Sequence, residues 1–287
     1  MDPSCQPEGH GDLRPPPFYT RYGIARTGER DAPLALTPYP EVCRHGQLRA
    51  TVVAAAIDLV GSLFTREVAG TDILLTTDLS LRMPARTCPS KLVAHGRVLR
   101  SGRSGVTTAV ELREPAGAGE GASARAGGDA SESIWAYGET AFARVARAAD
   151  SNVTAEQLAL PKVFASHPLA RPLDEEVGVE VRDAARGEVE LALRGAVLNP
   201  ERTLQGALVA LLVERAGEVL AESRLGGPQR IVALDLRYLT TARVGPVRSR
   251  AAFIGAPEDG WLRVELRDVG RSDRVTATAL LAVAPAR

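Results

Sequence analysis

Two carboxyl groups stand nearly alone in apolar sequence. Asp58 lies in the middle of ATVVAAAIDLVGSLF, and Glu214 in the middle of ALVALLVERAGEVL. A charge withdrawn from water is costly, so such an acid either pairs with a cation or is kept as a reactive group. The available cations are Arg49 for Asp58 and the adjacent Arg215 for Glu214. The reactive alternative is a nucleophile, or a general base that activates water. Other chemistries lack their parts. His45, His95 and His167 show no ligand spacing, so no metal site is expected. A serine nucleophile lacks its usual elbow motif. The three cysteines, Cys5, Cys43 and Cys88, show no paired or metal-like spacing. A disulfide framework is therefore not expected, and a reducing cytoplasm is the expected compartment.

The elements that carry the two acids occur twice. Segments 45–67 and 203–223 are apolar around most of a helical circumference, which is the pattern of a buried helix. Each is followed by a strand-like run, ILLTTDLSLRMPA at 73–85 and IVALDLRYLTTA at 231–242. Asp58 and Glu214 are 156 residues apart, and Asp78 and Asp235 are 157 apart, so the copies differ there by one loop residue. Further strand-like runs follow at 92–99, 106–112 and 134–145, and again at 248–254, 261–266 and 275–283. Short strands precede the helices at 34–36 and 188–193. The expected fold is α+β: two tandem repeats, each an antiparallel sheet around one long buried helix, with each repeat covering the other's exposed face.

Between the repeats the sequence turns connective. Residues 1–17 are polar and proline-rich, with no apolar stretch of signal-peptide type, and are expected to form a disordered tail. The first repeat spans 18–148, with a Gly/Ala/Ser-rich flexible loop at 114–133 that the second repeat lacks. Residues 149–176 form a linker with a short helix expected after Thr154, and 177–287 form the second repeat. Lysine plus arginine equal aspartate plus glutamate at 35 each, which argues against nucleic-acid or membrane-surface binding driven by charge. No run of about 18 apolar residues is present, so no membrane span is expected.

These residues resemble those of the tandem, or double hotdog, acyl-thioesterases related to the phenylacetate-pathway type, over nearly the whole chain outside the tail. The family pattern places an Asn before the helix, a His-Gly-Gly-like start, an acid within the helix, and a Ser or Thr on the next strand. In the second repeat, Asn199 precedes Gln205-Gly206-Ala207, and Glu214 falls nine positions after Gln205, but Ala233 occupies the hydroxyl position. In the first repeat, Asp58 and Thr76 keep the acid-to-hydroxyl separation of eighteen. There the offset of 156 puts Cys43, Arg49 and Ala50 at the Asn, Gln and Gly positions, and His45-Gly46 sits a helical turn too early. The resemblance implies hydrolysis of acyl thioesters of coenzyme A or a carrier protein, with no cofactor. Arg97, Arg100 and Arg103, or Arg271 and Arg274, are candidates to meet coenzyme A phosphates, the alternative being solvated strand ends.

Helix geometry decides how the half-sites combine. A thioester carbonyl can rest on the unpaired N–H at a helix start, at the positive end of the helix dipole, and glycine permits close approach. From Gly206 to Glu214 the helix rises roughly 12 Å, more than a glutamate can span. An acid so placed must serve the other repeat's site. With the helices antiparallel across a pseudo-two-fold, Asp58 falls opposite Gly206. The expected site joins Asn199, Gln205 and Gly206 to Asp58 and Thr76. Gly206 N–H, helped by Gln205 or Asn199, would hold the carbonyl oxygen. The reciprocal set, Glu214 with Arg49, Ala50 and Cys43, is expected to be inactive or altered. The competing readings are a non-catalytic acyl-binding or scaffold protein and, on the same fold, a hydratase or dehydratase. Assembly of the tandem unit into a homo-oligomer is a further option.

Overall fold

The structure is a computed structural model; it describes residues 18–69, 72–84, 87–115, 133–145, 168–199 and 201–286. The tail 1–17, most of the loop expected at 114–133, and the helix expected after Thr154 lie outside these residues.

The first half runs β1 (Ile24–Arg26), β2 (Leu34–Leu36), a small hairpin of β3 (Cys43–Arg44) and β4 (Gln47–Leu48), and then α1 (Ala50–Ala69). It continues through β5 (Ile73–Arg82), β6 (Leu92–Ser101), β7 (Gly105–Arg113) and β8 (Ile134–Val145). The second half runs α2 (Leu173–Val177), β9 (Glu180–Asp183), β10 (Glu188–Leu191), α3 (Gly206–Leu225), β11 (Gln229–Tyr238), β12 (Val247–Phe253), β13 (Trp261–Asp268) and β14 (Arg274–Pro285). Both long helices start later than the apolar runs suggest. At 45–48 the chain is a hairpin, because His45 and Gly46 take φ of 52° and 70° at its turn, a conformation no helix contains.

Twelve strands form one antiparallel sheet, in the order β1-β2-β6-β7-β8-β5-β11-β14-β13-β12-β10-β9. That order reads as the same six-strand series outward from its middle. At the junction β5 pairs with β11, with Leu79 opposite Leu236. These two leucines are each other's repeat counterparts, 157 residues apart, so the pseudo-two-fold axis passes through that pair.

The helices sit against the sheet with little between. α1 carries Ala50, Ala54, Ala55 and Ala56 in its first two turns, all buried, and α3 carries Ala210, Ala216 and Ala221. Small side chains let two helices and a curved sheet approach closely in a chain with only 4% aromatic residues to fill gaps. Gly138 of β8 shows how close: a Cβ there would lie 2.5 Å from the Ile57 side chain. Burial of Ile57, Val60, Leu208, Leu211 and Leu212, all essentially inaccessible, contributes about 1.5–3 kcal/mol for each side chain. The end of the expected linker is also structural, since Leu169 and Leu173 join the core.

Candidate active site

The two helices meet tip to middle, once at each end of their contact, and the two meetings differ. At the start of α1, the N–H groups of Ala50 and Thr51 donate to the Glu214 carboxylate of α3, at 2.7 and 3.2 Å. Arg49 lies beside it, 3.5 Å from Glu214 and 3.0 Å from Asp174. The helix start that could have held a carbonyl oxygen is thus filled by an internal carboxylate. Glu214 belongs to a buried ion network in which Arg44, Arg49 and Arg215 face Asp174, Glu214, Glu218 and Glu222. Three arginines, with His45 also 3.2 Å from Glu222, face four acids. Burial, reinforced by the Glu214 charge, pushes Glu218 up to about 8. The reciprocal set Glu214, Arg49 and Ala50 is closed, and Cys43 lies outside it with another thiol.

At the start of α3 the equivalent positions are Gly206 and Ala207. Among the described residues neither N–H meets an acceptor, because the first donors used, Leu208 and Val209, both reach the Gln205 carbonyl. The acid that faces them is Asp58, one methylene shorter than glutamate. Its Oδ1 accepts a hydrogen bond from Thr76 Oγ1 at 2.8 Å. A bulge at Thr77, where the β5–β8 register slips between Thr76 and Asp78, accompanies that placement of Thr76. Among the described residues no cation pairs with it: Arg49 pairs with the other acid. Burial therefore pushes the Asp58 carboxyl up to about 6, only partly offset by the Thr76 hydrogen bond.

Between Asp58 and the start of α3 lies a cavity of about 150 Å³, lined by Asp58, Gly206, Ala207, Asn199, Gln205 and Tyr238 together with Tyr19, three alanines and two leucines. A second cavity of about 320 Å³ adjoins it and shares Asp58, Asn199, Gly206 and Tyr238. It is lined by threonines, Thr76, Thr77, Thr203, Thr240 and Thr241 among them, and bordered by the exposed Leu75 and Leu239. All five residues expected at the site, Asp58, Thr76, Asn199, Gln205 and Gly206, line one or both cavities.

The hydrogen bonds of Gln205 differ from expectation. The Gln205 amide is fully engaged: its oxygen accepts the Phe18 N–H at 3.1 Å, and its nitrogen donates to the carbonyls of Ala196 and Leu198. It fixes the loop before α3 and is not free to donate to a ligand. Asn199 uses its oxygen to accept the Thr203 N–H at 2.9 Å, which turns its amide nitrogen away from that bond, on a residue that borders both cavities.

Two tyrosines at the site were not singled out from the sequence. Tyr238 Oη donates to the Gly206 carbonyl at 3.2 Å, and burial with the nearby Asp58 charge raises both Tyr238 and Tyr19. Tyr238 falls in the expected strand at 231–242, and aromatic scarcity was its one signal. Tyr19 arrives from the turn that opens the first repeat, with no periodic signal at all. Arg97, Arg100, Arg103, Arg271 and Arg274 line neither cavity. A larger groove, about 540 Å³ between β12, β13 and the end of α3, holds Arg186, Arg224, Arg250, Arg263 and Arg267. Its one acid, Glu265, is tied to Arg263 and Arg267, so it presents no free base. Among the described residues no group of His, Cys, Asp and Glu could hold a metal ion, and no helix is long and apolar enough to cross a membrane.

No protein-family model matches the sequence, and no curated protein sequence matches it. Solved structures do. The 12:0-ACP thioesterase from Umbellularia californica is 12% identical, with a TM-score of 0.56 over 88% of this chain and 92% of that one. The acyl-ACP thioesterase from Bacteroides thetaiotaomicron is 12% identical, with a TM-score of 0.53 over 87% of this chain and 96% of the other. A protein of unknown function with a hot dog fold from Alicyclobacillus acidocaldarius is 14% identical, with a TM-score of 0.53 over 93% and 96%. The twelve strands, two central helices and internal two-fold make this chain a double hotdog, the fold it shares with those proteins.

Proposed function

We propose that this protein hydrolyses acyl thioesters carried by coenzyme A or a carrier protein, at a single site between Asp58 and the start of α3. The observation that carries this reading is the contrast between the two helix starts. A glutamate fills one, whereas an aspartate held back by Thr76 leaves the other open onto a cavity. Helix-start N–H groups bordering a cavity and a carboxylate held by a hydroxyl and not by a cation are the two parts that acyl transfer to water requires. That two of the neighbours above are described as acyl-ACP thioesterases adds to it.

In this mechanism the acyl group enters the smaller, alanine-lined cavity, and the carrier arm lies in the threonine-lined one. The thioester carbonyl oxygen accepts hydrogen bonds from Gly206 N–H and Ala207 N–H, with the Asn199 amide nitrogen nearby. Asp58 takes a proton from water as the water oxygen bonds to the carbonyl carbon. The carbon–sulfur bond then breaks, and the thiolate recovers the proton from Asp58. Thr76 holds the carboxylate in place. The two repeats, 18–148 and 177–287 with 149–176 between, work as one unit, each supplying half of the site. The cytoplasm is the compartment in which this reading places the reaction.

The test is a panel of short, long and aryl acyl-coenzyme A and acyl-carrier-protein substrates with a thiol reagent. Free thiol from the native chain, lost in Asp58→Asn, supports the assignment. Activity that survives Asp58→Asn but disappears in Glu214→Gln reverses it. Binding without thiol release favours an acyl-binding protein, and a change in enoyl absorbance favours a hydratase.

A further inference from the structure

Cys43 and Cys88 are 45 positions apart in sequence, and nothing in their spacing pairs them. The fold does. Cys43 ends up in β3 and Cys88 in the segment between β5 and β6, and their sulfur atoms lie 3.2 Å apart. The Cys88 N–H donates to the Gly46 carbonyl at 3.2 Å, which ties that segment to the β3–β4 turn. Both thiols are half-buried, and both border an open cavity of about 470 Å³ with Tyr39, His45 and Pro89. Small solutes can therefore reach a dithiol that the backbone holds ready. The two sulfurs are also unequal. The hydrogen bond shared with Cys88 and the Arg49 charge hold the Cys43 thiol below its usual range against burial, whereas the same shared bond and burial push the Cys88 thiol up. An attacking thiol beside a resolving one is the arrangement that peroxide oxidation needs.

We propose that Cys43 and Cys88 form a two-electron oxidation site that closes as an intramolecular disulfide, with hydrogen peroxide as the class of oxidant. The Cys43 thiolate attacks a peroxide oxygen; the sulfur–oxygen bond forms, the oxygen–oxygen bond breaks, and hydroxide leaves and takes up a proton as water. Cys88 then gives up its proton as its sulfur bonds to the Cys43 sulfur, and the sulfenic oxygen departs as a second water. Two thiols are oxidised and one peroxide is reduced. The bond ties the β3–β4 hairpin, which carries Arg44 and His45 to Glu222, to the β5–β6 segment. It does not rest on the proposed hydrolysis.

The experiment treats the reduced, full-length chain with a small excess of hydrogen peroxide. The expected result is loss of two of the three thiols, a mass lower by two hydrogens, and a peptide linking Cys43 to Cys88. The thermal midpoint should rise by roughly 5–10 °C and return on reduction. Cys88→Ser should instead leave Cys43 as a sulfenic acid that dimedone captures. Oxygen added to a single cysteine of the native chain without a link, or a link through Cys5 or between chains, overturns the proposal. So does dimedone capture at Cys88 in Cys43→Ser with none at Cys43 in Cys88→Ser.

Discussion

The Ala50 N–H donates to Glu214 at 2.7 Å, so the acid of one repeat caps the helix of the other. By the internal two-fold, Asp58 stands to Gly206 as Glu214 stands to Ala50, with one methylene fewer and without the capping bond. The difference between a closed and an open helix start thus comes down to one carbon and the partner of each carboxylate. Several consequences can be measured.

Asp58→Glu restores the missing methylene. The longer side chain is expected to reach the Gly206 and Ala207 N–H groups, as Glu214 reaches those of Ala50 and Thr51, and to occupy the part of the cavity beside them. The variant should be at least as stable as the native chain and should lose activity by about 10²-fold or more, although its carboxylate is intact. Thermal unfolding alongside thiol release checks both halves; full activity would mean that the helix start does not bind the carbonyl.

Gly206→Ala separates function from folding in another way. A Cβ at 206 would meet Tyr238 Oη at 3.8 Å, an ordinary contact, and φ there needs no glycine. Alanine should stabilise by about 0.4–1 kcal/mol through the unfolded chain. It should nonetheless impair hydrolysis, because the new methyl narrows the space beside the donor. A raised KM or lowered kcat in a more stable protein is the expected reading, and unchanged kinetics would count against Gly206.

The pH profile should carry the signature of Asp58. Its folded pKa of about 6 lies above the usual carboxylate value, so as a base it is charged and competent only above that pH. Activity, as kcat/KM, should rise through an acid limb near pH 6. Thr76→Val removes the bond that favours the charged form, so the limb should move to higher pH. A limb that stays in place would show that the hydroxyl does not touch the titrating group.

Glu214→Gln should leave the open site working but weaken the protein. The change removes one of the acids around Arg49, which is 2% exposed and keeps Asp174 at 3.0 Å, and weakens the acceptor of the Ala50 and Thr51 N–H groups, at a cost of about 1–3 kcal/mol. A lowered denaturation midpoint with near-native thiol release is expected; loss of activity in folded protein would place the chemistry at the other helix start.

Stability should also depend on pH through Glu218. Its folded pKa is raised from 4.5 to about 8, so in that window the folded state binds the proton that the unfolded state releases. Stability contributed by that proton is present below about 4.5 and is lost as pH rises towards 8. Unfolding midpoints between pH 5 and 8 should fall with a slope that Glu218→Gln reduces.

Much of this was legible in the chain itself. Hydrophobic periodicity and the repeated offset are local properties, so the sequence alone determined the duplication, the two long helices, the strands and the lone acids. The rise of a helix between Gly206 and Glu214 also implied that the acid of one repeat faces the helix start of the other, as Glu214 faces Ala50. Tertiary structure alone decided the rest. Which carboxylate meets a cation depends on distances through space, and Arg49 turned to Glu214 and Asp174. Gln205 reads as a donor in sequence, but Phe18, Ala196 and Leu198 consume its amide once the loop folds. Tyr19 and Tyr238 come from opposite ends of the chain, and Cys43 and Cys88 from either side of a helix and a strand. Side-chain convergence of that kind leaves no periodic trace, because it is set by how layers pack and where loops return, and not by the order of residues along any one element.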